Sequence, residues 1–348
     1  MSSQTTSSTP YGFIQNWLCF MTLLVIAMIV LGGATRLTNS GLSITEWRPI
    51  SGALPPLNQS AWLSEFEKYK QIPEFLAEHP DMDLGGFKFI YFMEWSHRQF
   101  GRLIGLAYAL PFFVLLLRRR LPGGKTKYFA AILLLIGLQG AIGWWMVASG
   151  LVNDRVDVSA YRLATHLGLA FIILGMLFWL WRESVKNWPR NRTLSTPLFK
   201  PSVALCLLVY IQIIAGAFVA GTHSGKTYNS WPLMDGGFVP GGYGIISPFW
   251  RNLFENPAAI QFNHRMLAYL IFGLAIWMDF KSRKLHVSAK VRTGLQIVLG
   301  LIVWQIFLGV WTLLKVAPLN LSLLHQFSSI LVFLASLSLL RRITSLPN

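Results

Sequence analysis

Charge is scarce in this sequence: Asp, Glu, Lys and Arg make up only 13% of its 348 residues. Soluble globular domains carry about twice that share, so an ordinary water-facing surface is excluded. Cysteine is scarcer still. Cys19 and Cys206 are the only two, and both fall toward the cytoplasmic ends of apolar runs, where a reducing compartment argues against a structural disulfide. Acids number 14 against 30 basic residues. The opening stretch MSSQTTSSTPYGF has none of the Arg-rich amphipathic character of a transit peptide, and the first apolar run has no signal-cleavage site. A bacterial cytoplasmic membrane is therefore the expected location, rather than an organelle reached by import.

What the chain has in abundance is apolar surface, with 53% hydrophobic residues. Eight runs, near residues 14–35, 95–117, 128–149, 160–182, 200–221, 258–280, 293–315 and 320–340, approach the roughly 20 residues needed to cross a hydrocarbon core as helices. The net charge of +16 could suggest nucleic acid, but its distribution argues otherwise. Bases crowd alternate loops: Arg118, Arg119, Arg120, Lys125 and Lys127 after the second run, Arg182, Lys186, Arg190, Arg192 and Lys200 after the fourth, Lys281, Arg283, Lys284, Lys290 and Arg292 after the sixth. Nearly all the acids lie on the other side. This is the positive-inside pattern, which puts both termini in the cytoplasm and gives the charge a topological role with no nucleic-acid partner.

Aligning Gly32 with Gly216 also aligns Thr38 with Thr222 and Ser40-Gly41 with Ser224-Gly225. Later runs keep the match: His97-Arg98 with His264-Arg265, Gln139, Gly143 and Trp145 with Gln305, Gly309 and Trp311, and His166 with His325. The expected architecture is an all-α polytopic membrane protein of eight transmembrane helices, arranged as two pseudo-symmetric four-helix bundles, 1–185 and 195–348. Long outer loops at 36–94 and 222–257 interrupt the pattern; the first contains a surface-helix signal, SAWLSEFEKYK.

Ionisable side chains inside spans are costly and are functional candidates. Four of the seven histidines, His97, His166, His264 and His325, fall at or just inside the outer ends of runs two, four, six and eight; His79, His223 and His286 lie in loops. Two histidines at one depth on facing helices can ligate haem iron from both sides of its plane. The competing reading is four interfacial histidines bonded to loops or head groups. Gly101, one turn after His97, would let a macrocycle lie close, and Arg36, Arg98, Arg102, Arg162 and Arg265 near the outer surface are candidate partners for propionates. The halves differ at one telling position. Glu94, one turn before His97, corresponds to Gln261, which cannot take up a proton, so chemistry is expected in the first half and a resident cofactor in the second. The segment GTHSGKT has the flavour of a phosphate-binding loop, but Ala220 stands where its first glycine belongs and a helix rather than a strand precedes it.

The segments GGATRLTNSGLSITEWRPISGALPP (32–56), EWSHRQFGRLIG (94–105), GTHSGKTYNSWPLMDG (221–236) and FNHRMLAY (262–269) closely resemble the haem A synthase family, in its proteobacterial and mitochondrial form, and the resemblance covers essentially the whole chain. It implies oxidation of the C8 methyl of haem O to a formyl group by successive hydroxylations, for cytochrome c oxidase. It also implies a bound haem b ligated by His264 and His325, with Glu94, His97 and His166 at the substrate haem. Haem O synthase, oxidase assembly factors, an unidentified electron donor and a second copy of the chain are the partners that follow. Some members carry a cysteine pair in an outer loop; this chain does not. Two other readings fit the paired histidines: a dihaem cytochrome passing electrons from quinol, and a haem transporter or chaperone.

Overall fold

The computed structural model describes residues 11–48, 51–152, 155–185, 196–285 and 287–344. His286, Asp154, Lys186, Arg190, Arg192 and both extreme termini lie outside these residues. The fold is helical, and among the described residues there is no strand beyond a single isolated bridge, Met234 to Gly237.

Among the described residues, seven helices are long and apolar enough to cross a membrane: α1 (Gly12–Leu37), α4 (Leu84–Leu117), α5 (Thr126–Ala148), α6 (Ala160–Ser184), α7 (Phe199–Gly221), α10 (Ala289–Leu314) and α11 (Leu319–Ile343). The sixth apolar run forms a helix too, α9 (Pro257–Lys284), of 28 residues, but it is not in that set. Asn263, His264 and Arg265 near one end and Asp279, Lys281 and Arg283 near the other dilute its hydropathy. The described residues also form three short α-helices: α2 (Gln59–Tyr69), α3 (Pro73–Glu78) and α8 (Asn252–Glu255).

Within the first half α1 packs on α4, α4 on α5, α5 on α6 and α6 on α1; within the second α7 packs on α9, α9 on α10, α10 on α11 and α11 on α7. The halves meet through α6 with α7 and α1 with α11. Half of the apolar window of α6 is buried inside the protein against only 6% for α5, so α6 is an inner helix and α5 faces lipid. One apolar cluster, including Leu18, Tyr108, Phe171, Leu177, Leu205, Met278 and Ile330, runs through both halves.

α4 begins at Leu84 rather than near residue 95, because the Asp83 carboxylate caps it by accepting from Gly86 N at 2.8 Å. Its 34 residues span about 51 Å, well beyond a hydrocarbon core of about 30 Å. The extra turns point Phe87, Ile90 and Tyr91 at Trp62, Phe66 and Tyr69 of α2, forming a separate aromatic core for an outer cap. The anticipated surface helix is α2, capped by Asn58. Both halves close their first long helix in the same way. Asn39 (φ 47°) and His223 (φ 53°) take the left-handed conformation after Thr38 and Thr222, whose hydroxyls bond Ser40 and Ser224 at 2.7 and 2.5 Å.

Candidate functional site

Each of the four helical histidines lies against a glycine on a neighbouring helix. A Cβ added to Gly32 of α1 would stand 2.9 Å from Cε1 of His97 on α4; at Gly143 of α5 it would stand 2.9 Å from Cε1 of His166 on α6. The second half repeats this, with 3.3 Å from Gly216 of α7 to His264 on α9 and 3.0 Å from Gly309 of α10 to His325 on α11. Any larger residue would displace the imidazole, so these glycines exist for close approach. Gly101 does not play that part: a Cβ there would make only an ordinary 3.4 Å contact with Met28.

Three histidines also carry a glutamine from the glycine's helix, one turn earlier. Gln139, Gln212 and Gln305 donate through Nε2 to the backbone carbonyls of His166, His264 and His325 at 3.1, 3.0 and 3.0 Å. The same amide nitrogens lie 3.2–3.4 Å from both ring nitrogens, so each amide covers its imidazole. Their amide oxygens are buried without a hydrogen-bond partner. The position on α1 that corresponds to Gln212 holds Met28, and Nδ1 of His97 is buried without a partner. In the sequence Gln139 and Gln305 stand out only as repeat matches. The usable signal is the spacing Gln-x-x-x-Gly on three helices and Met-x-x-x-Gly on the fourth.

Glu94 and Gln261 occupy equivalent places and do equivalent work with different chemistry. Oε2 of Glu94 accepts from Ser43 Oγ and Ile44 N, both at 2.8 Å, and Oε1 accepts from Arg98 Nε at 3.0 Å and Nη2 at 2.6 Å. Arg98 goes on to the carbonyls of Ile44 and Glu46. In the second half Gln261 donates to the Ser224 carbonyl at 2.7 Å and accepts from Arg265 at 2.6 Å; Arg265 then reaches the Tyr228 and Ser230 carbonyls. Both units pin an outer loop to the helix that bears a histidine. The acid stands where the loop offers donors and the amide where it offers a carbonyl, so hydrogen-bond complementarity by itself accounts for the difference.

The remaining arginines are also engaged with protein groups. Arg36 pairs with Asp157 at 3.1 Å and donates to the Ala220 carbonyl at 3.2 Å, with His223 Nε2 at 3.0 Å from it and 2.7 Å from Asp157. Burial raises the Asp157 pKa, but the His223 hydrogen bond and the Arg36 charge outweigh it and leave the carboxyl below its ordinary value. Arg102 donates to the Arg48 carbonyl, and Arg162 bonds the Trp145 carbonyl and lies 4.4 Å over its ring. The GTHSGKT segment is the end of α7 and a single 3-10 turn, Ser224–Lys226. Cys19 and Cys206 are free thiols.

The outer cap holds a further polar chain that the sequence does not announce. Tyr69 Oη donates to Glu74 Oε2 at 3.1 Å and lies 2.7 Å from Nδ1 of His79. Burial raises the Glu74 carboxyl to about 8 and holds His79 below its usual value.

These features define a multi-pass helical membrane protein that carries a pair of imidazoles, each seated on a glycine, within each half. Residues 15–337 match the COX15-CtaA family, described as cytochrome oxidase assembly protein. The chain is 48% identical over 320 residues to the Heme A synthase of Beijerinckia indica subsp. indica, covering 91% of this chain and 89% of the relative. It is also 48% identical over 330 residues to that of Maricaulis maris (94% and 95% covered), and 45% identical over 326 residues to that of Paracoccus denitrificans (92% and 85%). The chain belongs to this family of haem A synthases.

Proposed function

We propose that this protein is a haem A synthase, oxidising the C8 methyl of haem O to a formyl group by successive hydroxylations for cytochrome c oxidase biogenesis. The observation that carries the reading is the fourfold histidine-on-glycine arrangement in a chain matched to the family over nearly its whole length. Imidazole pairs flanked by glycine notches, in which an added Cβ would meet each ring, fit a planar iron macrocycle.

In this reading α9 is an eighth span and the helices form two pseudo-symmetric bundles, both termini cytoplasmic, in a bacterial inner membrane. The order of packing supports it, since each packed pair of neighbouring long helices in one half has its counterpart in the other. A resident haem b is ligated by His264 and His325 and supplies electron transfer when bound. Substrate haem O lies between His97 and His166, toward the periplasmic face. Gly32 and Gly143 give the imidazoles room, and Glu94 is the group beside the reacting region. A haem O synthase would deliver the substrate.

Glu94 has a second reading, favoured by its four hydrogen bonds: it positions the 43–46 loop and Arg98 rather than taking part in chemistry. Glu94→Gln discriminates between the two. The amide must present its NH2 either to Ser43 and Ile44 or to Arg98, which leaves donors unpaired at a cost of about 1–3 kcal/mol. The variant and wild type are coexpressed with a haem O synthase, and their pigments are acid-extracted and weighed by mass spectrometry. Wild type yields haem A or hydroxylated haem O. Haem O retained without product in the variant supports chemistry by Glu94, whereas loss of haem O itself supports positioning. Haem b alone in the wild type would sink the synthase reading and favour a dihaem cytochrome.

A further inference from the structure

Three of the four histidines are clasped by an amide and the fourth is not. Gln139, Gln212 and Gln305 each combine a 3.0–3.1 Å bond to the histidine's own carbonyl with 3.2–3.4 Å approaches to its ring. An imidazole so covered has its orientation fixed by the neighbouring helix. The amide that donates to the main-chain carbonyl packs on the ring as well, and so restrains the rotation that would carry the imidazole off its ligand. Met28 supplies no such restraint. A thioether is a weak acceptor, it cannot bond the His97 carbonyl, and Nδ1 of His97 is left without a partner. Met28 instead fills the space one turn further along α4, its methyl 3.4 Å from where a Gly101 Cβ would stand.

We propose that Met28 makes His97 the ligand that releases iron in the first bundle, while Gln139, Gln212 and Gln305 are positioning residues that keep His166, His264 and His325 bound. This rests on reading both histidine pairs as iron ligands. The consequence is a division of labour set by one side chain. The second bundle closes both axial positions of its haem and suits electron transfer, whereas the first opens one and suits exchange of substrate and product.

The test uses full-length protein reconstituted with ferric haem in detergent, so that both bundles are loaded, and titrated with cyanide, which needs an open iron position. Soret shifts and electron paramagnetic resonance report the state of each haem. In wild type one haem takes cyanide and the other does not. Met28→Gln weakens that binding at least tenfold, and Met28→Leu, which changes shape but adds no hydrogen bond, leaves it within about twofold. Gln212→Met makes the second haem cyanide-reactive. Wild-type haems that both refuse cyanide, a Met28→Gln protein that binds it as wild type does, or a Gln212→Met protein whose second haem stays closed would each overturn the proposal. If Met28→Gln fails to accumulate, the Gln212→Met result decides. A wild-type protein that takes up no haem in either bundle would instead overturn the reading of the histidine pairs.

Discussion

The two halves use the same parts at the same places and differ in three of them. Where the second half has Gln212 against His264, the first has Met28 at the corresponding position of α1; where the second has Gln261, the first has Glu94. The third difference is the outer cap. Residues 38–83 fold two helices over an aromatic core on the extended end of α4, while residues 222–256 are turns and short helices held by Asn252 and Asn256. On the proposed reading, halves that share the histidine pairs but differ in the groups around one of them have separated in task. Substitution can break each contrast, with the largest effect expected at the histidines and the smallest at the caps.

On the proposed ligation, His264→Ala and His325→Ala should each remove the haem of the second bundle altogether, because either change would leave the group with one of the two protein ligands that would hold it. In the first bundle the outcomes should diverge: His166→Ala empties the site, while His97→Ala retains most of its haem in a high-spin form. Quantifying haem per protein and spin state in the four variants checks this. Equal losses from His97→Ala and His166→Ala would erase the contrast between the bundles.

The arginine clasps come next. Arg98→Ala strands a buried carboxylate, Glu94, whose side chain is 4% exposed, and removing one partner of a buried ion pair costs about 3–5 kcal/mol. Arg265→Ala strands only the neutral amide of Gln261, a loss of about 1–3 kcal/mol. Thermal unfolding in detergent should therefore show the larger fall in Tm for Arg98→Ala. Equal shifts would mean that the acid and amide are interchangeable and that the difference between the halves carries no energetic weight.

Much of this architecture is legible in the amino-acid sequence. Apolar runs locate the long helices, even α9, whose ends are diluted by polar residues, and the repeat places the histidines two to a half. SAWLSEFEKYK announces α2 through its amphipathic spacing. Three things are hidden, each for a physical reason. The first turns of α4 direct their apolar side chains at a protein cap rather than at lipid, so residues 84–94 do not read as part of a span. The partners of Glu94 include a backbone N–H, Ile44, and those of Arg98 and Arg265 are mostly backbone carbonyls; main-chain groups leave no trace in residue identity. For the same reason the bonds that Arg36, Arg98, Arg102 and Arg265 make to main-chain carbonyls and carboxylates could not be read beside their expected role as propionate partners. The glycine notches are hidden because glycine is common in membrane helices, and only the approach of Cε1 to each one separates Gly32 from Gly101.

The smallest effect concerns the caps and has a sign that can be worked out. Glu74 is 4% exposed, and burial, the dominant influence, holds its carboxyl at about 8 against 4.5 in an unfolded chain. Tyr69 donates to it, Glu94 and Asp157 push it further up and Arg36 pulls it down. Between pH 4.5 and 8 the unfolded segment loses a proton that the folded cap retains, so folded stability falls as pH rises through that window and levels off above it. His79 acts in the opposite sense. Burial lowers its pKa, so the unfolded segment binds an extra proton below pH 6.5 and stability rises with pH up to that point. The two slopes oppose one another below pH 6.5, and the net fall should appear between pH 6.5 and 8, worth about 2 kcal/mol. Among the described residues of the second cap the buried polar side chains are Ser224, Asn252 and Asn256, none of which titrates. Hydrogen exchange of α2 and α3 should therefore quicken across that interval while exchange at 242–256 changes only with the intrinsic rate. Glu74→Gln should abolish the difference between the caps, and a variant that still loosens above pH 6.5 would place the titrating group elsewhere.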